Sequence, residues 1–158
     1  MASVLEYLQG RGQVFTVIPH PPPVAEGRDH RPRIPGELAA KTIVVLSSDG
    51  PVILVIPASR PIDLSLVAEA LGDPDVRPAA KHELESRFPD YEPGALPPLS
   101  MLLLTPVYVD PAVMERPEIV FAAGRKDLSI RMSTRDLFGS DPIVVTPLTR
   151  ESRVAPAP

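Results

Sequence analysis

The sequence predicts an α+β fold in a single domain with a mixed sheet, and three observations predict it. Two apolar, mostly β-branched runs, residues 43–46 and 52–56, flank Ser47-Ser48-Asp49-Gly50-Pro51, which supplies turn chemistry. Strands this apolar suit a sheet covered on both faces. Helical patterns and strands then follow in an order that is neither strict βαβ alternation nor pure β. Finally, 158 residues with 44% hydrophobic and 23% charged side chains fit one ordinary globular domain with its own core.

Each element has a local reason. Ser3 and Glu6 form a capping box, Val4, Leu5 and Leu8 make a short apolar stripe, and Gly10 and Gly12 end the helix. Residues 14–18 read as a strand. Pro19-His20-Pro21-Pro22-Pro23 then stops regular structure, because proline removes a donor and fixes φ. Residues 25–36 read as a polar loop with a basic edge (Arg28, Arg31, Arg33), giving way to a short helix through Glu37-Leu38-Ala39-Ala40. The hairpin is expected at the centre of a single core. Alternation along its first strand puts Lys41 on the face of Ile43 and Val45. A charge there costs free energy unless it snorkels, pairs or meets a ligand. Lys41 therefore reads either as a strand-end ammonium reaching solvent or as one aimed into a cleft at an anion.

Asp63 is an N-cap for a helix carrying Leu64, Val67, Ala68 and Leu71, closed by Gly72. Residues 79–88 read as a second helix, with Leu84 and Phe88 one turn apart and Lys81, His82, Glu83 and Glu85 on a solvated face. Residues 88–100, FPDYEPGALPPLS, form a rigid loop leading into the apolar run 101–104, read as a buried strand that 107–109 continues. Such a loop either presents backbone N–H groups to a ligand or merely connects. Asp110-Pro111 caps a single helical turn to Arg116. Residues 119–122 read as a buried strand and Gly124-Arg125-Lys126-Asp127 as a turn. Leu128, Ile130 and Met132 then alternate with Ser129, Arg131 and Ser133, a strand with one wet face. A short helix at 134–138 and a last strand at 143–145 complete the domain, assigned to residues 1–150. Residues 151–158 read as a flexible tail.

Composition narrows the chemistry. There is no Cys, so disulfides, thiolate zinc sites and a cysteine nucleophile are excluded. The three histidines, His20, His30 and His82, lack metal-ligand spacing, so neither a metal nor a cofactor is expected. No run approaches the ~18 apolar residues of a membrane span. Glu6 interrupts any signal-peptide pattern, and a cytoplasmic location without membrane attachment is expected. A net charge of −4 argues against broad, non-specific nucleic-acid binding but leaves room for a local basic face. GxSxG, P-loop, GxGxxG and HExxH patterns are all missing. An enzyme of this composition would work by positioning, backbone oxyanion donors and groups of its substrate.

Several segments, in order, resemble the YbaK/EbsC family of aminoacyl-tRNA deacylases, related to the editing domain of bacterial prolyl-tRNA synthetase. They are VFTVIPHPP with Glu26, AAKTIVV with Lys41, the second hairpin strand, IDLSLVAEALG, YEPGALPPL, PVYVDPAVMERPEIVFAAG and LSIRMS. The likeness runs from about residue 3 to residue 148. It implies a central mixed sheet flanked by helices and a free-standing trans-editing hydrolase. That enzyme cleaves the ester between a mischarged small amino acid and the terminal adenosine of tRNA. In the family Lys41 is the residue most tied to activity. The GxxxP loop, here Gly94, Ala95, Leu96, Pro97 and Pro98, lines the aminoacyl pocket.

The residue chemistry is compatible with that role. The substrate's α-amine is positive, so Lys41 suits the terminal phosphate or ribose. The Gly94 and Ala95 N–H groups suit the carbonyl oxyanion. Water would attack, oriented by the adenosine 2′-hydroxyl. Leu96, Leu99 and Met101 are assigned to the specificity pocket, and His20 to its rim, packing there or acting in catalysis. Two departures stand out: Leu99-Ser100 where relatives often have Phe-Gly, and no histidine after the AG turn. They keep open a non-catalytic module binding tRNA ends, an aminoacyl-nucleotide or a protein, and a third reading, hydrolysis of simple amino-acid esters. The expected partner is the acceptor end of aminoacyl-tRNA, with a synthetase or elongation factor alongside; the oligomeric state is left undetermined.

Overall fold

The computed structural model describes residues 3–20, 38–139 and 141–150. The polar loop with its arginines, Glu26, Glu37 and the C-terminal tail lie outside them; the rest of the short helix expected through residues 37–40 is not helical, because Ala39 bridges to Val120 and Ala40 opens a strand. Helix α1 (Val4–Gly10) precedes β1 (Phe15–Pro19). The hairpin is β2 (Ala40–Ser47) and β3 (Gly50–Pro57). Then come α2 (Leu64–Leu71), β4 (Arg77–Pro78), α3 (Lys81–Arg87), α4 (Ser100–Leu103), β5 (Val107–Val109) and α5 (Pro111–Met114). The chain closes with β6 (Glu118–Arg125), β7 (Leu128–Ser133), α6 (Thr134–Phe138) and β8 (Val144–Val145).

A five-stranded mixed sheet, order β4-β2-β3-β5-β8, carries the hairpin, and a three-stranded antiparallel sheet has the order β1-β7-β6. β3 and β5 are parallel, as are β5 and β8. The sheets meet at a parallel bridge between Ala39 and Val120, where the Val120 N–H donates to Leu38 O at 2.8 Å. The hairpin register pairs Val44 with Ile53 and Val45 with Val52. Because side chains alternate, this divides the interior in two rather than giving one core. Ala40, Val44, Ile53 and Val55 face a large cluster with β5, β6, β7 and α1. Val45, Val52, Leu54 and Ile56 face a smaller one with Val67 of α2, Val76 and Leu148. β3 is therefore buried from Val52 to Pro57. Each fully buried aliphatic side chain here contributes about 1.5–3 kcal/mol.

The caps at Ser3, Asp63 and Gly72 operate as written in the sequence. Ser3 Oγ accepts the Glu6 N–H at 3.1 Å. Asp63 Oδ1 accepts from Ser65 N at 2.9 Å, and Gly72 closes α2 with φ 64°. The run 101–104 is a correction: it belongs to the helical turn α4, not to a strand. Four apolar residues have no periodicity to separate helix from strand, and leucine favours helix. The turn is held from outside, by Ser100 Oγ donating to Pro142 O at 3.1 Å and Met101 N donating to Asp141 Oδ2 at 3.2 Å. Leu104 leaves it at φ 50° with its side chain 86% exposed. Ser129, expected on a wet face, is buried.

Candidate active site

Four separated pieces of sequence converge on the β6–β7 turn and the loop before α4. Glu92, Pro93, Gly94 and Ala95 make a tight turn in which the Ala95 N–H donates to Glu92 O at 3.0 Å. Gly94 takes φ 87°, the left-handed value needed at the third position of a type II turn, and Pro93 fits the second. The Ala95 N–H is thus engaged within the turn. The Gly94 N–H has no acceptor among the described residues, and the residue is exposed. Of the two amides expected to face an oxyanion, only that of Gly94 is available.

Gly124 clamps this loop to β6. Its C=O accepts the Glu92 N–H at 2.9 Å and its N–H donates to Ala95 O at 2.8 Å. The register slips between Ala122 and Arg125, which turns the Gly124 peptide groups away from β7 and toward the loop. The Tyr91 ring lies where a Gly124 Cβ would stand, with Cδ1 at 2.9 Å from that position, and φ there is 90°. Burial, with the Asp90 carboxylate nearby, pushes the Tyr91 hydroxyl above its usual pKa. The YEPG and AAG segments are therefore two halves of one contact.

The second join is to β2. Thr42 Oγ1 donates to Leu96 O at 2.6 Å. Thr42, Gly94 and Leu96 line a small cavity of about 190 Å³, whose wall is otherwise apolar: Ile43, Val44, Pro78, Ala79 and Leu84. Lys41 is exposed and falls on the face of Ile43, opposite the face on which Thr42 meets the loop. Its side chain has no ion pair or hydrogen bond among the described residues.

The third join is to the end of β1. The His20 N–H donates to Asp127 O at 2.7 Å, and His20 Nε2 lies 2.8 Å from Ser129 Oγ. The antiparallel register, Pro19 opposite Leu128, brings the two side chains together. Ser129 is the residue that sequence reasoning missed. Its only signal was alternation, which pointed to solvent; a half-buried His20 covers it instead.

The turn itself carries charge. Arg125 is held by Asp127 through two contacts, at 2.9 and 2.6 Å. Lys126 is exposed, and its Cε lies 3.8 Å from where a side chain on Gly94 would begin. The remaining assigned residues are distributed differently. Ala95, Leu96, Pro97, Pro98 and Leu99 are buried. Met101 is 51% exposed and lines a separate apolar groove with Leu104, Val107 and Val144. The Leu99-Ser100 departure is structural: Leu99 is 1% exposed in the core, and Ser100 holds Pro142. Among the described residues, no three His, Asp or Glu gather as a metal site, and no helix is long and apolar enough to cross a membrane.

The sequence profile of the aminoacyl-tRNA editing domain matches residues 27–139. A curated relative, the "Putative Cys-tRNA(Pro)/Cys-tRNA(Cys) deacylase EbsC" of Enterococcus faecalis (strain ATCC 700802 / V583), is 26% identical over 98 residues. That match spans 62% of this chain and 59% of the relative. Among solved structures, hypothetical protein APE2540 superposes with a TM-score of 0.77 at 24% identity, covering 93% of this chain and 99% of that one. A "putative trans-editing enzyme for prolyl tRNA synthetase" superposes with a TM-score of 0.67 at 18% identity, covering 94% and 80%. These two similarities establish the fold, a mixed-sheet α/β domain with flanking helices. With the profile covering most of its length, the chain belongs to the aminoacyl-tRNA editing domain family, as its likeness to the YbaK/EbsC deacylases implied.

Proposed function

We propose that this protein is an aminoacyl-tRNA deacylase that edits in trans, removing a small amino acid from a mischarged tRNA. The observation that carries the reading is the Thr42–Leu96 hydrogen bond, which joins the Lys41-Thr42 segment to the 94–98 loop around a small apolar cavity. The cavity suits a short side chain. Gly94, free of a Cβ, lets the ester carbonyl approach its N–H.

In this mechanism a water oxygen bonds to the ester carbonyl carbon, and the carbonyl oxygen takes up negative charge against the Gly94 N–H. The bond from that carbon to the ribose oxygen then breaks. One water proton passes to the leaving oxygen, giving a free amino acid and a tRNA with its terminal hydroxyl restored. The neighbouring ribose hydroxyl orients the water at high effective concentration, so an activated ester needs no strong protein base. Lys41 lies on the face of β2 opposite the Thr42–Leu96 contact, so it acts from outside the aminoacyl cavity, as a point charge on the terminal phosphate or ribose. A synthetase or elongation factor nearby would compensate for weak tRNA binding by an acidic chain, and this work would take place in the cytoplasm.

The test is a deacylation screen with tRNAs charged with Ala, Ser, Thr, Cys and Pro, with Lys41→Ala as control. Lys41-dependent release of one amino acid is expected. Release from none would replace the enzyme with a binding module on the same fold. Equal activity on RNA-free amino-acid esters would replace the substrate class.

A further inference from the structure

We propose that Lys126 is a second cation of the site, which takes a phosphodiester of the tRNA acceptor end as the chain leaves the aminoacyl pocket; the inference rests on the tRNA-deacylase reading above. Nothing in the sequence singled this lysine out. It sits in a two-residue turn between β6 and β7, where an exposed charge is ordinary. The tertiary structure gives it a particular place. Its side chain runs across Gly94, with Cε 3.8 Å from the point where a Gly94 side chain would begin. The ammonium is one bond further along. It therefore lies beside Gly94, a residue that lines the Thr42–Gly94–Leu96 cavity and whose N–H has no acceptor among the described residues.

Three further observations support a role in binding. The turn is rigidly mounted. On one side Gly124 exchanges hydrogen bonds with Glu92 and Ala95 at 2.9 and 2.8 Å, and on the other Asp127 O accepts from His20 N at 2.7 Å. A lysine so mounted loses less freedom when it meets a ligand. Lys126 has no ion pair among the described residues: the Asp127 carboxylate is engaged by Arg125, and the nearby Glu92 carboxylate also acts on Arg125. The position also suits one chemistry better than another. The aminoacyl group enters an apolar cavity and carries a positive α-amine, which an ammonium repels. The anionic backbone that follows it out of the cavity is what an exposed, hydrated ammonium can hold. In a chain of net charge −4, such local cations are what allow RNA to approach.

Binding of uncharged tRNA is the primary measurement, followed by fluorescence anisotropy across a potassium chloride series. The proteins are the wild type, Lys126→Ala, Lys126→Gln and Lys126→Arg. Removing the charge is expected to weaken binding about fivefold at low salt and to flatten the slope of log affinity against log salt by about 0.7, the share of one single-strand phosphate contact. Lys126→Arg should keep both. In deacylation, Lys126→Ala should raise KM by the same factor and change kcat less than about twofold. An unchanged affinity and slope would overturn the proposal. So would a loss of kcat at constant KM, which would mean that the lysine shapes the loop instead. Absence of measurable tRNA binding by the wild type at low salt would overturn it as well. A wild type that binds tRNA but deacylates none would reject the catalytic reading alone, because the salt slope still decides the role of Lys126.

Discussion

In the proposed mechanism Lys41 and Gly94 serve the chemistry in different ways, and substitution separates the two. Lys41 is exposed with no partner among the described residues, so truncating it should cost less than about 0.5 kcal/mol of stability. Lys41→Ala should nevertheless lower deacylation at least about tenfold, the loss of one charge that positions the substrate. Hydrolysis and thermal melting measured on one preparation check this, and normal activity in a folded variant would remove Lys41 from the mechanism. Gly94 is the opposite case. A Cβ there meets only Lys126 Cε at 3.8 Å, ordinary contact, but φ is 87°. Gly94→Ala should cost about 1–2 kcal/mol through backbone strain. It should also cut turnover at least about tenfold, because a displaced carbonyl loses its donor. A variant with full kcat would take the oxyanion away from this loop.

At the scale of elements, most of the chain is held by short signals at the ends of helices and strands. α3 is an instance. Ala80 offers no side-chain cap, so Glu83 reaches back to the Ala80 N–H at 2.9 Å while Arg77 of β4 grips both its oxygens at 2.8 and 2.9 Å. The Arg77 guanidinium, followed by the Ala80 N–H, holds the Glu83 carboxyl down to about 2 from an ordinary 4.5. A depressed carboxylate stabilises the folded state above its unfolded pKa and loses that contribution as pH falls through the folded one. The gap in melting temperature between wild type and Glu83→Gln should therefore be full above about pH 5 and close by about pH 2. Melts across that range check it, and a gap independent of pH would mean that the pair adds nothing. The sequence showed Glu83 only as part of a solvated face. What it could not show is β4, two residues long, whose pairing with Val45 and Leu46 brings Arg77 within reach.

Across the whole molecule, one carboxylate ties the C-terminal end of the described chain to the sheet. Asp110 is 3% exposed. Its Oδ1 caps α5 by accepting from Ala112 N at 2.9 Å. Its Oδ2 accepts from Leu148 N, Thr149 N and Thr149 Oγ1 at 2.9, 3.0 and 2.9 Å. Leu148 in turn is fully buried in the second cluster. Asp110→Ala strands four donors and should cost about 3 kcal/mol, read as a lowered urea midpoint with the same slope. An unchanged midpoint would show that the C-terminal segment does not belong to the cooperative unit. The Asp-Pro pair was legible as a cap because capping is local. The other three bonds link residues 38 and 39 positions apart, beyond any pattern in the sequence.

The sequence alone determined what rests on neighbouring residues and on alternation: the hairpin, the capped helices, the turn glycines and the face on which Lys41 lies. These follow from backbone sterics and side-chain periodicity within a few positions. Only the tertiary structure decided what depends on distant pieces meeting. It made residues 101–104 a helical turn, because Pro142 and Asp141 hold them from outside. It buried Ser129 under His20, divided the core across the two faces of the hairpin, and engaged the Ala95 amide. It also set Lys126 over Gly94, because the Gly124 peptide turns out of its own ladder to bond the loop, and no local preference encodes which loop will be there.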